Sequence, residues 1–242
     1  ENVPLDKIYA ELSRLGEIST VNCNRRLKKA YSGKSIAFGA AGLATKAATT
    51  GYFDDEKLKF QWHLVNHGDV GPTKFSKGAD VGVEKAWELC TGDPSIIVAV
   101  LDEGIDITHP DLKDALWVNE GEIWRSHEDN DGNGYPGDVH GYNFALGTPI
   151  ISTSDKNDSG HGTHVAGVIG ALNNNGIGIS SIAGGNGSQK GVRLMSCQIF
   201  SGVKSGTVLD EVRAIKYAAD NGAVILQCSW GYNSGAANGY DW

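Results

Sequence analysis

The sequence predicts an α/β fold built on a mainly parallel sheet, and three observations predict it. From about residue 80 onward, apolar runs of strand length alternate with stretches of helical periodicity, the order expected when parallel strands are joined by crossover helices. The runs are apolar at consecutive positions, as in strands covered by helices on both faces. Glycine, 33 of 242 residues, clusters in loops and forms no repeat, which indicates tight turns and close backbone approaches.

Taken in order, residues 1 to about 50 differ from the rest. A helix-like stretch with Ile8, Leu12 and Leu15 on one face leads through Gly16 to a candidate strand, Ile18 to Val21. The small-residue tract Ala37 to Gly51 (AFGAAGLATKAATTG) reads as a linker. The first long apolar run is Ile96 to Leu101, followed by a helix-like stretch from His161 to Asn173 and a run from Val192 to Phe200. A further helix is predicted over Val208 to Asn221. It places Val208, Val212, Ile215 and Ala219 at helical spacing, opens with Thr207-x-x-Asp210 as a capping pattern and closes on Gly222. The last run is Ala223 to Cys228.

Composition narrows the function classes. With 29 acidic against 21 basic residues the formal charge is -8, which disfavours nucleic acid, because binding it rests on neutralising phosphates with Lys and Arg. The one basic cluster, Arg25 to Lys29, reads as a solvated face. No apolar stretch of about 18 residues is present to span a membrane. The opening residues are charged and amphipathic, without the apolar region of a signal peptide, so any export signal has been removed or lies upstream. The four cysteines, Cys23, Cys90, Cys197 and Cys228, are far apart with no CxxC spacing, so no zinc knuckle or redox motif is indicated. Cys197 and Cys228 lie within apolar runs and are expected to be buried thiols.

Two segments carry chemistry. In Val98-Ala-Val-Leu-Asp102-Glu-Gly-Ile-Asp-Ile-Thr-His-Pro-Asp111-Leu112, a carboxylate directly follows an apolar strand, at the carboxyl edge where open α/β sheets place their sites. In Asp158-Ser-Gly-His161-Gly-Thr-His164-Val-Ala-Gly167, His161 stands at a helix start and His164 one turn on. A helical zinc pair needs i, i+4 spacing and a Glu base; here the spacing is i, i+3 and the Glu is missing.

Together DEGIDITHPDL and HGTHVAG resemble the segments around the catalytic Asp and His of the subtilisin-like serine proteases, or subtilases (the S8 peptidases). The order Asp then His agrees with that family's triad. The resemblance implies that Asp102 orients and electrostatically supports His161, and that His161 is the general base of a serine endopeptidase acting on peptides. It implies a three-layer subtilisin-like fold with a mainly parallel central sheet, incomplete in this chain. Leu226-Gln-Cys-Ser229-Trp230-Gly231 is similar to the family strand that lines the specificity pocket and pairs with an extended substrate. Trp230 stands where a smaller apolar residue is usual.

A third segment, Asp129-Asn-Asp131-Gly-Asn133-Gly134-Tyr135-Pro-Gly-Asp138, has oxygen side chains at positions one, three and five and Gly at six, the opening of a twelve-residue calcium loop. Position twelve is His140 in place of Glu, and Asp138 is the candidate replacement. Subtilases frequently carry a similar insertion. Their resemblance alone implies a second calcium site from Gln61, Asp111, Leu172, Asn174, Ile177 and Ile179, in a loop one residue longer than usual.

Lys57 to Leu64 resembles the start of mature subtilase catalytic domains, so residues 1–50 are expected to be a prosegment remnant with its linker, and 51–242 the amino-terminal part of the catalytic domain. The resemblance covers roughly residues 55 to 232 and implies a secreted or cell-surface location. The family's Gly-Thr-Ser-Met-Ala-like nucleophile motif does not occur, and Ser205 and Ser234 have the wrong surroundings. A companion carboxyl-terminal segment is therefore expected to supply the Ser. The alternative is a catalytically inactive, peptide- or partner-binding subtilase-like domain.

Overall fold

A computed structural model describes residues 52–68 and 76–231, together with Lys7, Arg14, Lys28 and Lys29. The expected helix through Ile8, Leu12 and Leu15, the strand Ile18 to Val21, Cys23, the linker Ala37 to Gly51 and Ser234 lie outside the described residues.

The elements run β1 (Lys28–Lys29), α1 (Val83–Trp87), β2 (Ile97–Asp102), β3 (Gly141–Asn143), α2 (His161–Gly170), β4 (Arg193–Gln198), β5 (Phe200–Ser201), β6 (Lys204–Ser205), α3 (Val208–Asp220), β7 (Ala223–Cys228) and β8 (Trp230–Gly231). Four strands form one sheet in the order β3-β4-β2-β7, and every pairing in it is parallel. The apolar runs thus became parallel strands, with β2 central. Because side chains alternate across a strand, β2 feeds two cores. Val98 and Val100 pack with Leu112, Ala166 and Leu194 on the α2 side. Ala99 and Leu101 pack with Met195, Cys197, Ala214 and Tyr217 on the α3 side. A helix on each face gives the three layers expected. A satellite cluster of Leu58, Leu64, Val65, Val83 and Trp87 is tied on by the Trp87 indole, which donates to the Ile182 carbonyl at 3.0 Å.

Three sequence expectations shift. Helix α2 ends at Gly170 and not at Asn173, because Ala171 turns extended (φ -54°, ψ 143°). Helix α3 has the full Thr207/Asp210 capping box, but its buried residues are Ala214, Tyr217 and Ala218. Small residues let the helix lie close to the sheet, so the stripe of Val212 and Ile215 faces outward at 54% and 38% exposure. Cys197 is buried, whereas Cys228 is exposed, because β7 is an edge strand with one open side. Val224 and Ile225 of β7 are exposed for the same reason.

Candidate active site

Strand β2 ends on Asp102, whose side chain is 3% exposed, and the first residue of α2 is His161. The two elements meet because Gly162 has no side chain: a Cβ there would stand 2.5 Å from the Gly104 carbonyl oxygen and 3.2 Å from Asp102 Cβ. His161 Nδ1 consequently lies 2.9 Å from both Asp102 oxygens. A carboxylate can only accept, so Nδ1 carries the proton and the neutral ring keeps its basicity at Nε2. Burial raises the Asp102 carboxyl above its ordinary value, while the His161 hydrogen bond and the Glu103 backbone N–H, 2.7 Å away, pull it back down. His161 itself is partly open, its side chain 21% exposed. It lines an open cavity of about 950 Å³ with Asp106, His109, Thr163, His164 and Gly167. The arrangement suits proton transfer: a basic ring nitrogen at a cavity, with its other nitrogen oriented by a buried acid.

The residues expected to line the specificity pocket follow β7, which pairs with β2 through Leu101 and Cys228. The Trp230 indole donates to the Leu101 carbonyl at 2.8 Å, which fixes β8 against the end of β2, and Trp230 packs against the α3-side core. Ser229 Oγ accepts from Gln227 Nε2 at 2.9 Å. Strand β8 pairs antiparallel with β1, matching Lys29 with Trp230 and Lys28 with Gly231.

Of the residues expected to hold calcium, the structure brings Asp129 and Asp131 together and adds one that sequence reasoning missed, Glu122. One oxygen from each of the three carboxylates converges within 4.8 Å, and both aspartates are exposed. Glu122 also accepts from the backbone N–H groups of Asn130, Asp131 and Gly137, which folds the loop over it. Only its acidity hinted at this, since it sits seven residues before the loop motif. Asp138 does something different. It is fully buried and accepts from Asn119 and Asn133 at 3.0 Å each and from the Tyr217 hydroxyl, so it bolts the loop to α3. Burial raises its carboxyl, against the pull of these donors. The Asn133 side-chain oxygen accepts from Tyr135 N, and Tyr135 stacks edge-on with Tyr142 and Tyr217. His140, at position twelve, places Nδ1 2.9 Å from the Trp117 carbonyl.

The second set gathers around residues 172–180. Gln61 makes a paired bond with Ser180, donating to its carbonyl and accepting from its N–H at 2.8 Å each. Asp111 accepts from Asn175 Nδ2 at 2.9 Å and Ile179 N at 3.0 Å, and its own carbonyl accepts from Leu172 N. Asn174 Oδ1 accepts from Asp54 N, and Ile177 N donates to Asn175 Oδ1. Asp55, which sequence reasoning missed, accepts from the N–H groups of Asn174 and Asn175.

Against known proteins, the model of the subtilase family matches residues 93–241. Subtilisin-like protease 1 of Plasmodium vivax is 33% identical over 196 residues, 80% of this chain and 28% of that protein. Halolysin of Haloferax mediterranei is 33% identical over 151 residues, 62% of this chain and 24% of that protein. Among solved structures, a serine protease of Aeromonas sobria in complex with a chaperone matches with a TM-score of 0.56 at 23% identity, covering 75% of this chain and 26% of that one, a likeness of fold. The chain spans about a quarter of the length of these relatives. A parallel sheet ending in a buried Asp that orients a His at a helix start, matched over residues 93–241, places this chain in the subtilase family.

Proposed function

We propose that this chain is the Asp–His half of a serine endopeptidase. The observation that carries the reading is the 2.9 Å contact of His161 Nδ1 with the buried Asp102. His161 takes the proton of a serine hydroxyl as that oxygen attacks the peptide carbonyl, and returns it to the leaving amine; Asp102 holds the ring and supports the imidazolium. The Ser comes from a segment outside residues 1–242. This is supported by the exposed stripe of Val212 and Ile215 and by the open edge at Val224 and Ile225, apolar surface suited to a further layer of the same protein.

Ser229, Trp230 and Gly231 form the edge on which an extended peptide adds as a strand. The antiparallel pairing of Lys28–Lys29 with Trp230–Gly231 supports this assignment. It also supports reading residues 1–50 as a prosegment remnant whose Lys28–Lys29 covers the same edge. A secreted or cell-surface zymogen is the reading that agrees with the relatives, one of which is named a cell wall-associated protease. Calcium is proposed at Glu122, Asp129 and Asp131, where a divalent cation offsets the mutual repulsion of three carboxylates.

The decisive experiment is labelling of the protein that carries this chain with a fluorophosphonate, alongside peptide hydrolysis. The wild type should label, and His161→Ala should abolish both signals. Asp102→Asn should lower turnover by about 10⁴-fold, the cost of losing the correct ring tautomer. Labelling that survives His161→Ala undiminished, or a wild type that never labels, would sink the endopeptidase reading.

A further inference from the structure

We propose that Glu103 is a positioning residue for His161: its buried carboxylate serves as the absent side-chain cap of helix α2 and holds the imidazole in register with Asp102. The first N–H groups of a helix have no intrahelical partner and need an acceptor. In α2 the N-cap is Gly160, which offers no side chain, and the first turn holds no acidic residue. The acceptor comes from across the chain. Glu103 Oε2 accepts from Ser159 N at 2.9 Å, Ser159 Oγ at 2.8 Å and His161 N at 3.2 Å.

Glu103 directly follows Asp102, so one strand end grips His161 at two points: the ring through Asp102 and the main chain through Glu103. That end is itself fixed. Gln198, fully buried on the neighbouring strand β4, donates from Nε2 to the Glu103 carbonyl at 2.6 Å, and Ser196 Oγ accepts from Ile105 N at 3.1 Å. Burying a second carboxylate at 2% exposure next to Asp102 is costly, and the like charge works to raise the Asp102 carboxyl. Three donors and the positive end of the α2 dipole offset that cost at the place where His161 enters the helix. From Ile97 to Leu101, before the Asp102–Glu103 pair, strand β2 carries only uncharged side chains.

The test uses the protein as purified, with Glu103→Gln and Glu103→Ala. Two readouts need no turnover: the downfield proton resonance of His161 Nδ1–H bonded to Asp102, and backbone amide exchange at Ser159 and His161. In both variants the resonance should broaden or vanish and exchange at the two amides should accelerate roughly tenfold or more, while β2 and β4 amides keep their protection. Glu103→Gln, which preserves shape, separates this from misfolding. Where the wild type hydrolyses peptide, kcat should fall roughly 10- to 100-fold with KM nearly unchanged, as for a displaced base. An unchanged resonance and unchanged exchange in both variants would overturn the proposal. So would a loss that appears only together with an equal loss of protection across β2 and β4. The proposal rests on His161 as general base. A wild type with the resonance intact but no hydrolysis would count against the endopeptidase reading alone.

Discussion

The loop 119–138 and the loop 172–180 are both rich in side-chain oxygen, yet they hold it differently. In the first, carboxylates converge on one another: Glu122, Asp129 and Asp131 bring ligand atoms within 4.8 Å, a grouping of acidic, His or Cys side chains found nowhere else among the described residues. At that distance each carboxylate pair repels by about 0.9 kcal/mol even in water, and by more where solvent is thin. Carboxylates of both loops accept from N–H donors: Glu122, Asp129 and Asp131 from the backbone of their own loop, Asp111 from Asn175 and Ile179, and Asp55 from Asn174 and Asn175. The difference is that around 172–180, among the described residues, no three acids converge. Counting oxygens along the sequence therefore finds both loops, but only geometry tells the loop whose acids converge from the one whose acids do not.

The largest expected effect breaks the first loop from beneath. Asp138→Ala leaves the buried Tyr217 hydroxyl without its acceptor and takes one of two carboxylate partners from the Asn119 and Asn133 amides, which keep Asp131; Tyr217 is held in a ring cluster with Tyr135 and Phe144. At about 1–3 kcal/mol for each buried group left unmade, with partial relaxation, urea unfolding should report a loss of about 4 kcal/mol. Asp111→Ala, which strands two donors, should cost less. If Asp111 proves the costlier site, the struts of the second loop matter more than the bolt beneath the first.

An intermediate effect sharpens the same contrast. Calcium at a hundred times its dissociation constant should stabilise the protein by about 2.7 kcal/mol, seen as a rise in melting temperature that chelator reverses. The double change Glu122→Gln with Asp131→Asn should abolish the rise, and Asp111→Asn should leave it intact. Should Asp111→Asn remove the rise and the double change spare it, the cation belongs to the second loop.

The fold and the Asp–His pair were legible because they rest on local signals. The run before Asp102, the capping box at Thr207 and the glycines around His161 each act within a few residues, and parallel pairing follows from the alternation of elements. What was not legible depends on long-range packing. The outward turn of Val212 and Ile215 is decided by Ala214 and Ala218 fitting against the sheet, which helical spacing alone does not rank. Cys228 looked buried because its run is apolar, but its exposure depends on β7 lying at the edge. Glu122 and Glu103 act through backbone N–H groups 8 to 15 and 56 to 58 residues away, contacts that no motif encodes.

The smallest expected effect is a difference between two glycines, one in each loop. Gly132 has φ +76° with nothing within 4 Å of where a Cβ would stand, so Gly132→Ala carries only the left-handed backbone penalty, about 1–2 kcal/mol. Part of that is recovered because alanine restricts the unfolded chain, by about 0.4–1 kcal/mol. Gly178 has φ +56°, and a Cβ there would lie 2.2 Å from Asp111 Oδ2 and 3.0 Å from its Cγ. Gly178→Ala therefore bears the same backbone cost and must also push Asp111 off Ile179 N, a hydrogen bond to a charged group that contributes about 1.5–3 kcal/mol when kept. Paired urea melts should place Gly178→Ala below Gly132→Ala by about 1–2 kcal/mol, less than the full hydrogen bond because the Asp111 side chain can swing partly aside. The loop of converging acids would then be the more tolerant of the two at its glycine, because the Gly132 Cβ position is open and the buried anchor Asp138 lies elsewhere. Equal losses would mean that Asp111 moves freely, and the picture of the second loop as a set of fixed struts would fail.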